Sequence, residues 1–273
     1  MDRFLEANRA LWDEWTEIHV RSRLYDLTGF RQGGVRLRPY ELDEVGAVRG
    51  KTLLHLQCHF GIDSLSWARL GADVTGVDFS PKAIAQASAL AAELRIGAAF
   101  ICSDIDALPD RLQGEFDIVY TSRGVLGWLP DLERWARVIA HFLRPEGFFY
   151  ITEAHPVVQV WDDEPDARGL RLGYPYFERA APLELPVRGS YADRDAPVRQ
   201  AVEYGWTHSL GQIVTSLAQA GLRIDFLRER AFLEWEAPFL VTSDGNAWRL
   251  PPDAGGELPL SFSLKATKAG ISD

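Results

Sequence analysis

Cysteine is scarce in this chain of 273 residues, which has only Cys58 and Cys102. Two thiols cannot build a disulfide framework, and their separation fits neither a paired-cysteine zinc site nor a redox C-x-x-C. Both are expected to be reduced and buried, and no metal is expected. Basic runs are absent as well. Lys and Arg number 29 against 39 Asp and Glu, a formal net charge of −10, and no stretch has the cationic density needed to neutralise a row of phosphates. Nucleic acid is therefore excluded as an expected partner, and an anionic membrane surface is disfavoured. No apolar run is long enough to span a bilayer. The opening MDRFLEANRALW carries charges at Asp2, Arg3, Glu6 and Arg9 where a signal peptide needs an apolar core, so a cytoplasmic location is expected. Two nucleotide motifs are also missing: the phosphate-cradling G-x-x-x-x-G-K-[ST] and the dinucleotide G-x-G-x-x-G.

What is present is enough apolar material, 47% of the residues, to bury the core of one large α/β domain, residues 1–273. From Lys51 to Glu153, short β-branched runs alternate with helical periodicities, the pattern of a parallel sheet with crossover helices. The strands read TLLHL, ADVTGV, AAFIC, FDIVYT and GFFYITE; helices are expected to begin near Ile62, Pro81, Ile105 and Asp131. Ser80 can cap a helix whose first residue, Pro81, has no N–H to lose. Ser209 to Gln212 reads as an S-x-x-Q capping box opening a second clear helix that ends at Gly221. The first 45 residues read as one or two helices lying outside the sheet, residues 51–155 as the ligand-binding core and 156–206 as an aromatic insert. Residues 207–273 then supply a helix and two closing strands, LRIDFLRERAF and LPLSFSLKAT. A doubly wound, mostly parallel sheet is the expected fold class.

In such a sheet, ligands sit at the carboxyl ends of the strands, beside the first strand and its turn. The turn here is QCHFG, and Asp78, in VDFS, stands where an acidic residue commonly takes ribose hydroxyls. Gln57 and His59 occupy positions where a dinucleotide turn has glycine, so the backbone cannot easily approach a pyrophosphate. An adenosine ligand without phosphate fits better.

The segments LLHLQCHFG, VTGVDFSP, ICSDIDALP, FDIVYTSRGVLGWLPD and LRPEGFFYITE resemble, in order and spacing, the class I S-adenosylmethionine-dependent methyltransferases, over roughly half the chain. They look closest to a small-molecule branch whose first motif reads HLQCHFG. The resemblance implies a Rossmann-like methyltransferase fold of seven strands with an antiparallel C-terminal strand, S-adenosyl-L-methionine as cofactor, and a small-molecule methyl acceptor. It implies a cofactor site of His55, Gln57, Cys58, His59, Gly61, Asp78, Phe79, Ser80, Asp104, Ile105, Thr121 and Ser122. Within it, Gln57 to Gly61 would contact the methionine part, Asp78 the ribose, Phe79 and Asp104 the adenine, and Thr121 and Ser122 would lie beneath the methyl donor. His55 departs from the family's usual carboxylate, which commonly lies near the cofactor's amino group and sulfonium.

Arg123 would face the acceptor, and Trp12, Tyr25, Trp128 and Trp161 could line an aromatic acceptor pocket, with the N-terminal segment as a lid. Methyl transfer from a sulfonium is an in-line displacement in which alignment does much of the work, and a general base is optional. His155, after the fifth strand, and His208, before the Ser209 helix, are the candidate bases on the ligand edge. The expected activity is methylation of oxygen, nitrogen or carbon of a small aromatic or heterocyclic metabolite by a monomer or homodimer. A module that holds S-adenosylmethionine or adenosine without turnover is the alternative.

Overall fold

A computed structural model describes residues 2–162, 170–237, 239–242, 247–254 and 256–270. Three helices open the chain, one more than expected: α1 (Arg3–His19), α2 (Leu27–Arg31) and α3 (Pro39–Val45). Asp2 caps α1 by accepting from the N–H groups of Phe4 and Leu5, both at 3.0 Å. The alternating core follows as β1 (Thr52–Leu56), α4 (Ile62–Arg69), β2 (Asp73–Asp78), α5 (Pro81–Leu94), β3 (Ala99–Cys102), β4 (Phe116–Thr121), α6 (Leu132–Phe142) and β5 (Leu143–Ala154). The insert contributes the hairpin β6 (Leu183–Pro186) and β7 (Val202–Gly205), and the chain ends with α7 (Leu210–Gln219), β8 (Leu222–Arg230), the short β9 (Val241–Thr242) and β10 (Trp248–Arg249), and β11 (Ser261–Lys268).

Two local readings are corrected. No α-helix begins near Ile105; a single 3-10 turn stands there, Leu108–Asp110. The Asp104 carboxylate accepts from the Ala107 N–H at 2.8 Å, and Pro109 and Gly114 leave too little chain before β4 for an α-helix. At α7 the capping box is half made. Ser209 Oγ accepts from the Gln212 N–H at 3.2 Å, but the Gln212 side chain donates to Glu178 at 2.7 Å instead of turning back.

Seven strands form the central sheet in the order β3-β2-β1-β4-β5-β11-β8. All neighbours are parallel except β11, which runs antiparallel between β5 and β8. Strand order reverses between β1 and β4, the switch point where a doubly wound sheet opens a crevice. Leu56 of β1 pairs with Val77 on one side and Thr121 on the other, so Gln57, Asp78 and Ser122 leave the sheet together at its carboxyl edge. Neighbouring residues of each strand serve opposite faces. Leu53, Val74 and Tyr120 pack with Trp67 of α4 and Val45 of α3, whereas Leu54, Val77 and Val119 pack with Trp135 and Phe142 of α6 and Leu217 of α7. With both faces covered, the strands read as continuous apolar runs. Each fully buried Leu or Phe contributes about 1.5–3 kcal/mol to this sandwich.

Candidate active site

The turn after β1 keeps a glycine-like backbone although it carries side chains. Gln57 and His59 both take the left-handed conformation, φ 58° and 51°, as does Gly61 at φ 78°. Each non-glycine residue held there costs about 1–3 kcal/mol, strain that persists only where the surroundings over-determine it. The His59 N–H donates to Asp78 Oδ2 at 2.8 Å, and the Ser80 N–H to Asp78 Oδ1 at 2.9 Å, so the turn and the tip of β2 are held by one carboxylate. Gly61 then starts α4. A Cβ on Gly61 would stand 2.7 Å from the Phe100 ring and 2.9 Å from Ala87 Cβ, so close packing excludes any side chain.

Over this turn lies a cavity of about 390 Å³, within the range that holds a small organic ligand. Of the expected residues, Gln57, Cys58, His59, Gly61, Asp78, Phe79, Asp104, Ile105, Ser122, Arg123, Trp12, Tyr25 and Trp128 line it. Asp78 is the pivot. Burial pushes its carboxyl up to about 6, against the pull of the Ser80 and His59 backbone donors. Each oxygen accepts one backbone hydrogen bond and keeps acceptor capacity for a second partner. A ribose diol fits that remaining capacity, and Gln57 Oε1, without a hydrogen-bond partner among the described residues, is a further acceptor for a cationic amino group.

Six expected residues are not on the cavity wall. His55 is fully buried behind it, its Nδ1 at 2.7 Å from Ser64 Oγ and its Nε2 at 3.2 Å from Ser122 Oγ. Burial, with Arg123 nearby, drives its pKa down to about 3, so the ring is neutral. Ser80 caps α5 and donates to Asp13 at 2.5 Å, and Thr121 is enclosed within the sheet. Trp161 packs on Phe239 at 4.7 Å in a separate apolar cluster. His155 lies against the β8 side: its Nε2 is 3.1 Å from Glu229, and its Nδ1 accepts from the Val157 N–H at 3.1 Å. His208 donates from Nε2 to the Leu129 carbonyl at 2.8 Å. Burial lowers the pKa of both. Being on the ligand edge in sequence order did not bring either histidine to the cavity, because the pleat and the following turn aim it elsewhere.

Arg123 reaches the cavity wall but is already compensated. It is paired with Glu41, stands 3.7 Å from Asp63 and 4.0 Å from Glu234. These carboxylates, with Tyr40 donating to Glu234 and Tyr120 donating to Glu41 at 2.5 Å, come from segments far apart in the chain. Sequence reasoning missed Glu41 and Glu234 because neither lies in a motif of its own. Glu153, buried at the end of β5, accepts from the N–H groups of Gly124, Val125 and Leu126 at 2.6, 2.8 and 3.1 Å and thereby sets the loop that carries one cavity wall.

A layer of aromatic side chains covers the turn. Trp12 lies 5.0 Å from the His59 ring and 5.3 Å from Trp128. His19 and His59 share a hydrogen bond of 2.9 Å, His19 Nε2 is 2.7 Å from Ser190 Oγ, and the Tyr25 and Tyr191 hydroxyls are 2.5 Å apart. Helix α1, the stretch before α2 and the 189–193 loop thus close over the β1 turn.

The fold is a doubly wound α/β sheet with a cleft at its switch point, and comparison with known proteins narrows the class. Residues 53–147 match a family described as "Methyltransferase domain". A ubiquinone biosynthesis O-methyltransferase from Cupriavidus pinatubonensis (strain JMP 134 / LMG 1197) is 31% identical over 152 residues, covering 56% of this chain and 57% of that protein. The ubiquinone biosynthesis O-methyltransferase of Serratia proteamaculans (strain 568) is 30% identical over 146 residues, covering 52% and 60%. The chain thus spans less than two thirds of the length of these curated relatives. Among solved structures, an S-adenosylmethionine-dependent methyltransferase from Mesorhizobium loti superposes with a TM-score of 0.59 at 21% identity over 87% of this chain and 100% of that one. A glycopeptide N-methyltransferase complexed with (S)-adenosyl-L-methionine gives 0.53 at 15% identity, over 84% and 92%. Residues 53–147 are thus similar to a methyltransferase domain, and the chain shares the fold of these solved S-adenosylmethionine-dependent methyltransferases.

Proposed function

We propose that this protein transfers a methyl group from S-adenosyl-L-methionine to a small aromatic acceptor, with a hydroxyl oxygen as the favoured nucleophile. One observation carries the reading: a single cavity joins the β1 turn, Asp78, Phe79 and Asp104 to an aromatic wall of Trp12, Tyr25, Trp128, Tyr191 and Trp235. Oxygen is favoured because the matched relatives are named O-methyltransferases.

When bound, the cofactor supplies an electrophilic methyl on a sulfonium. The chain's own residues do the positioning. Asp78 takes the ribose hydroxyls, Phe79 packs on the adenine and Asp104 accepts from its amino group, while the Gln57–Gly61 turn follows the methionine part. Trp12 and Trp128, in edge contact, form an apolar cover that excludes water and restrains a flat acceptor, so that alignment supplies much of the rate. Neither His155 nor His208 takes part in the transfer, since both are bound elsewhere.

The altered turn, with side chains at Gln57 and His59 in glycine-like conformations, favours a second reading, a module that holds the nucleoside without turnover. The cavity's continuation past the turn to Arg36, Arg38, Glu234 and Trp235 supports turnover instead, since storage needs no such extension. Calorimetry with S-adenosylmethionine and S-adenosylhomocysteine tests the cofactor, and mass spectrometry of a phenol and catechol panel tests transfer. Tight binding with no methylated product would favour the holding module; absence of binding would refute both.

A further inference from the structure

Asp63 is, among the described residues, a carboxylate on the β1-turn side of the cavity that faces Arg123 but accepts no hydrogen bond. It lies in the first turn of α4, two residues past Gly61, and lines the cavity. Among the described residues no group donates a hydrogen bond to it, and its only charged neighbour within 4.0 Å is Arg123, at 3.7 Å. Its side chain is 14% exposed, whereas Glu41 and Glu234, the other partners of Arg123, are 0% and 3% exposed and are held by tyrosine hydroxyls. Burial pushes the Asp63 carboxyl up to about 6; Arg123, Arg36 and Arg38 pull it down and Glu41 adds to the rise. A partly exposed carboxylate that accepts no hydrogen bond from the protein keeps its acceptor capacity for a ligand in the cavity.

The cavity has a direction. Asp104 and Ile105 stand at the β3 end and Asp78 at the β2 tip. Beyond the β1 turn, on the side away from Asp104, come Asp63 and Arg123. A nucleoside whose ribose rests on Asp78 therefore extends its 5′ substituent along the turn toward Asp63. In S-adenosylmethionine that substituent ends in an α-amino acid, whose ammonium has three N–H donors and needs an anionic acceptor. His55, in the strand below, cannot supply one, being a neutral ring occupied by Ser64 and Ser122.

We propose that Asp63 is the counter-charge for the cofactor's ammonium, a binding role taken from the helix rather than from β1. The proposal rests on the cofactor assignment made above and adds to it a residue that reads only the amino-acid end.

The test compares two nucleosides by calorimetry near neutral pH. S-adenosylhomocysteine has the amino-acid end; 5′-methylthioadenosine keeps the adenosine and the thioether but lacks it. Asp63→Asn is expected to weaken S-adenosylhomocysteine about 10-fold or more and to leave 5′-methylthioadenosine within about twofold, with Asp63→Glu recovering part of the loss. Unchanged affinity of Asp63→Asn for S-adenosylhomocysteine would overturn the proposal. So would equal loss of both nucleosides in Asp63→Asn and Asp63→Ser, which would make Asp63 a support of the turn. A wild-type protein that binds neither nucleoside would fail the cofactor assignment itself, and this proposal with it.

Discussion

Replacing Asp78 by alanine separates a ligand-binding carboxylate from a turn former. The carboxyl titrates at about 6 instead of 3.8 because it is buried, a shift that costs the folded protein about 3 kcal/mol once the group is ionised. Its folded pKa lies above the unfolded one, so the cost is absent below about pH 4 and complete above about pH 6. Alanine removes that cost but leaves the His59 and Ser80 N–H groups without their acceptor, at about 1–3 kcal/mol each if they stay buried. The two effects largely cancel, and urea denaturation near pH 7.5 should find the variant within about 3 kcal/mol of wild type. Binding has no such compensation. Two ribose hydroxyls lose an ionised acceptor at about 1.5–3 kcal/mol each, so S-adenosylhomocysteine should bind at least about 100-fold more weakly by calorimetry. A variant that binds within about threefold of wild type, yet is destabilised by more than about 4 kcal/mol, would show that Asp78 only holds the turn.

Three further outcomes are expected. Glu153→Gln puts an amide among four backbone donors, Gly124, Val125, Leu126 and Ala154; it should cost about 2–4 kcal/mol in urea and raise protease cleavage of the 122–128 loop, and unaltered stability would contradict its anchoring role. His155→Gln and His208→Ala should each keep kcat/KM within about 10-fold of wild type on any acceptor found in the phenol panel, and a fall of 1,000-fold or about that would restore a catalytic histidine. Acid should destabilise the protein: burial drives His19 and His55 from 6.5 down to about 3, so the stability of these neutral rings is present above pH 6.5 and lost as pH falls toward about 3. Asp63 and Asp78 act in the opposite sense between about pH 4 and 6, but their shifts, from 3.8 to about 6, are smaller. The urea midpoint should therefore fall between about pH 7 and pH 5, and a constant midpoint would mean that these histidines are hydrated in the folded state.

The contrast between Asp78 and Arg123 shows where a sequence stops being informative. Asp78 is the last residue of its strand, and its distance from Gly61 is set by one helix, one turn and that strand, so local spacing is enough to place it. Arg123 is equally well placed by spacing, yet the partners that decide its chemistry are Glu41 from α3, Asp63 from α4 and Glu234 from the segment after β8. His155 and His208 fail for the same reason. Chain order put them at the correct edge, but the direction of each imidazole was chosen by Glu229, the Val157 N–H and the Leu129 carbonyl.

Alternating apolar runs and helical periods determined the α/β class, the five leading strands, the capped start of α5 and the place of the turn after β1, because each depends on residues within a few positions of one another. Tertiary structure alone decided that Ile105 opens no α-helix, that His55 sits behind the wall, and that α1 lays Trp12 over the turn. Among the described residues it also left Asp63 without a hydrogen-bonding partner at the cavity's edge. Those outcomes depend on which distant segments share a volume, and a one-dimensional pattern does not encode the competition among side chains for the same hydrogen-bonding partners and the same space.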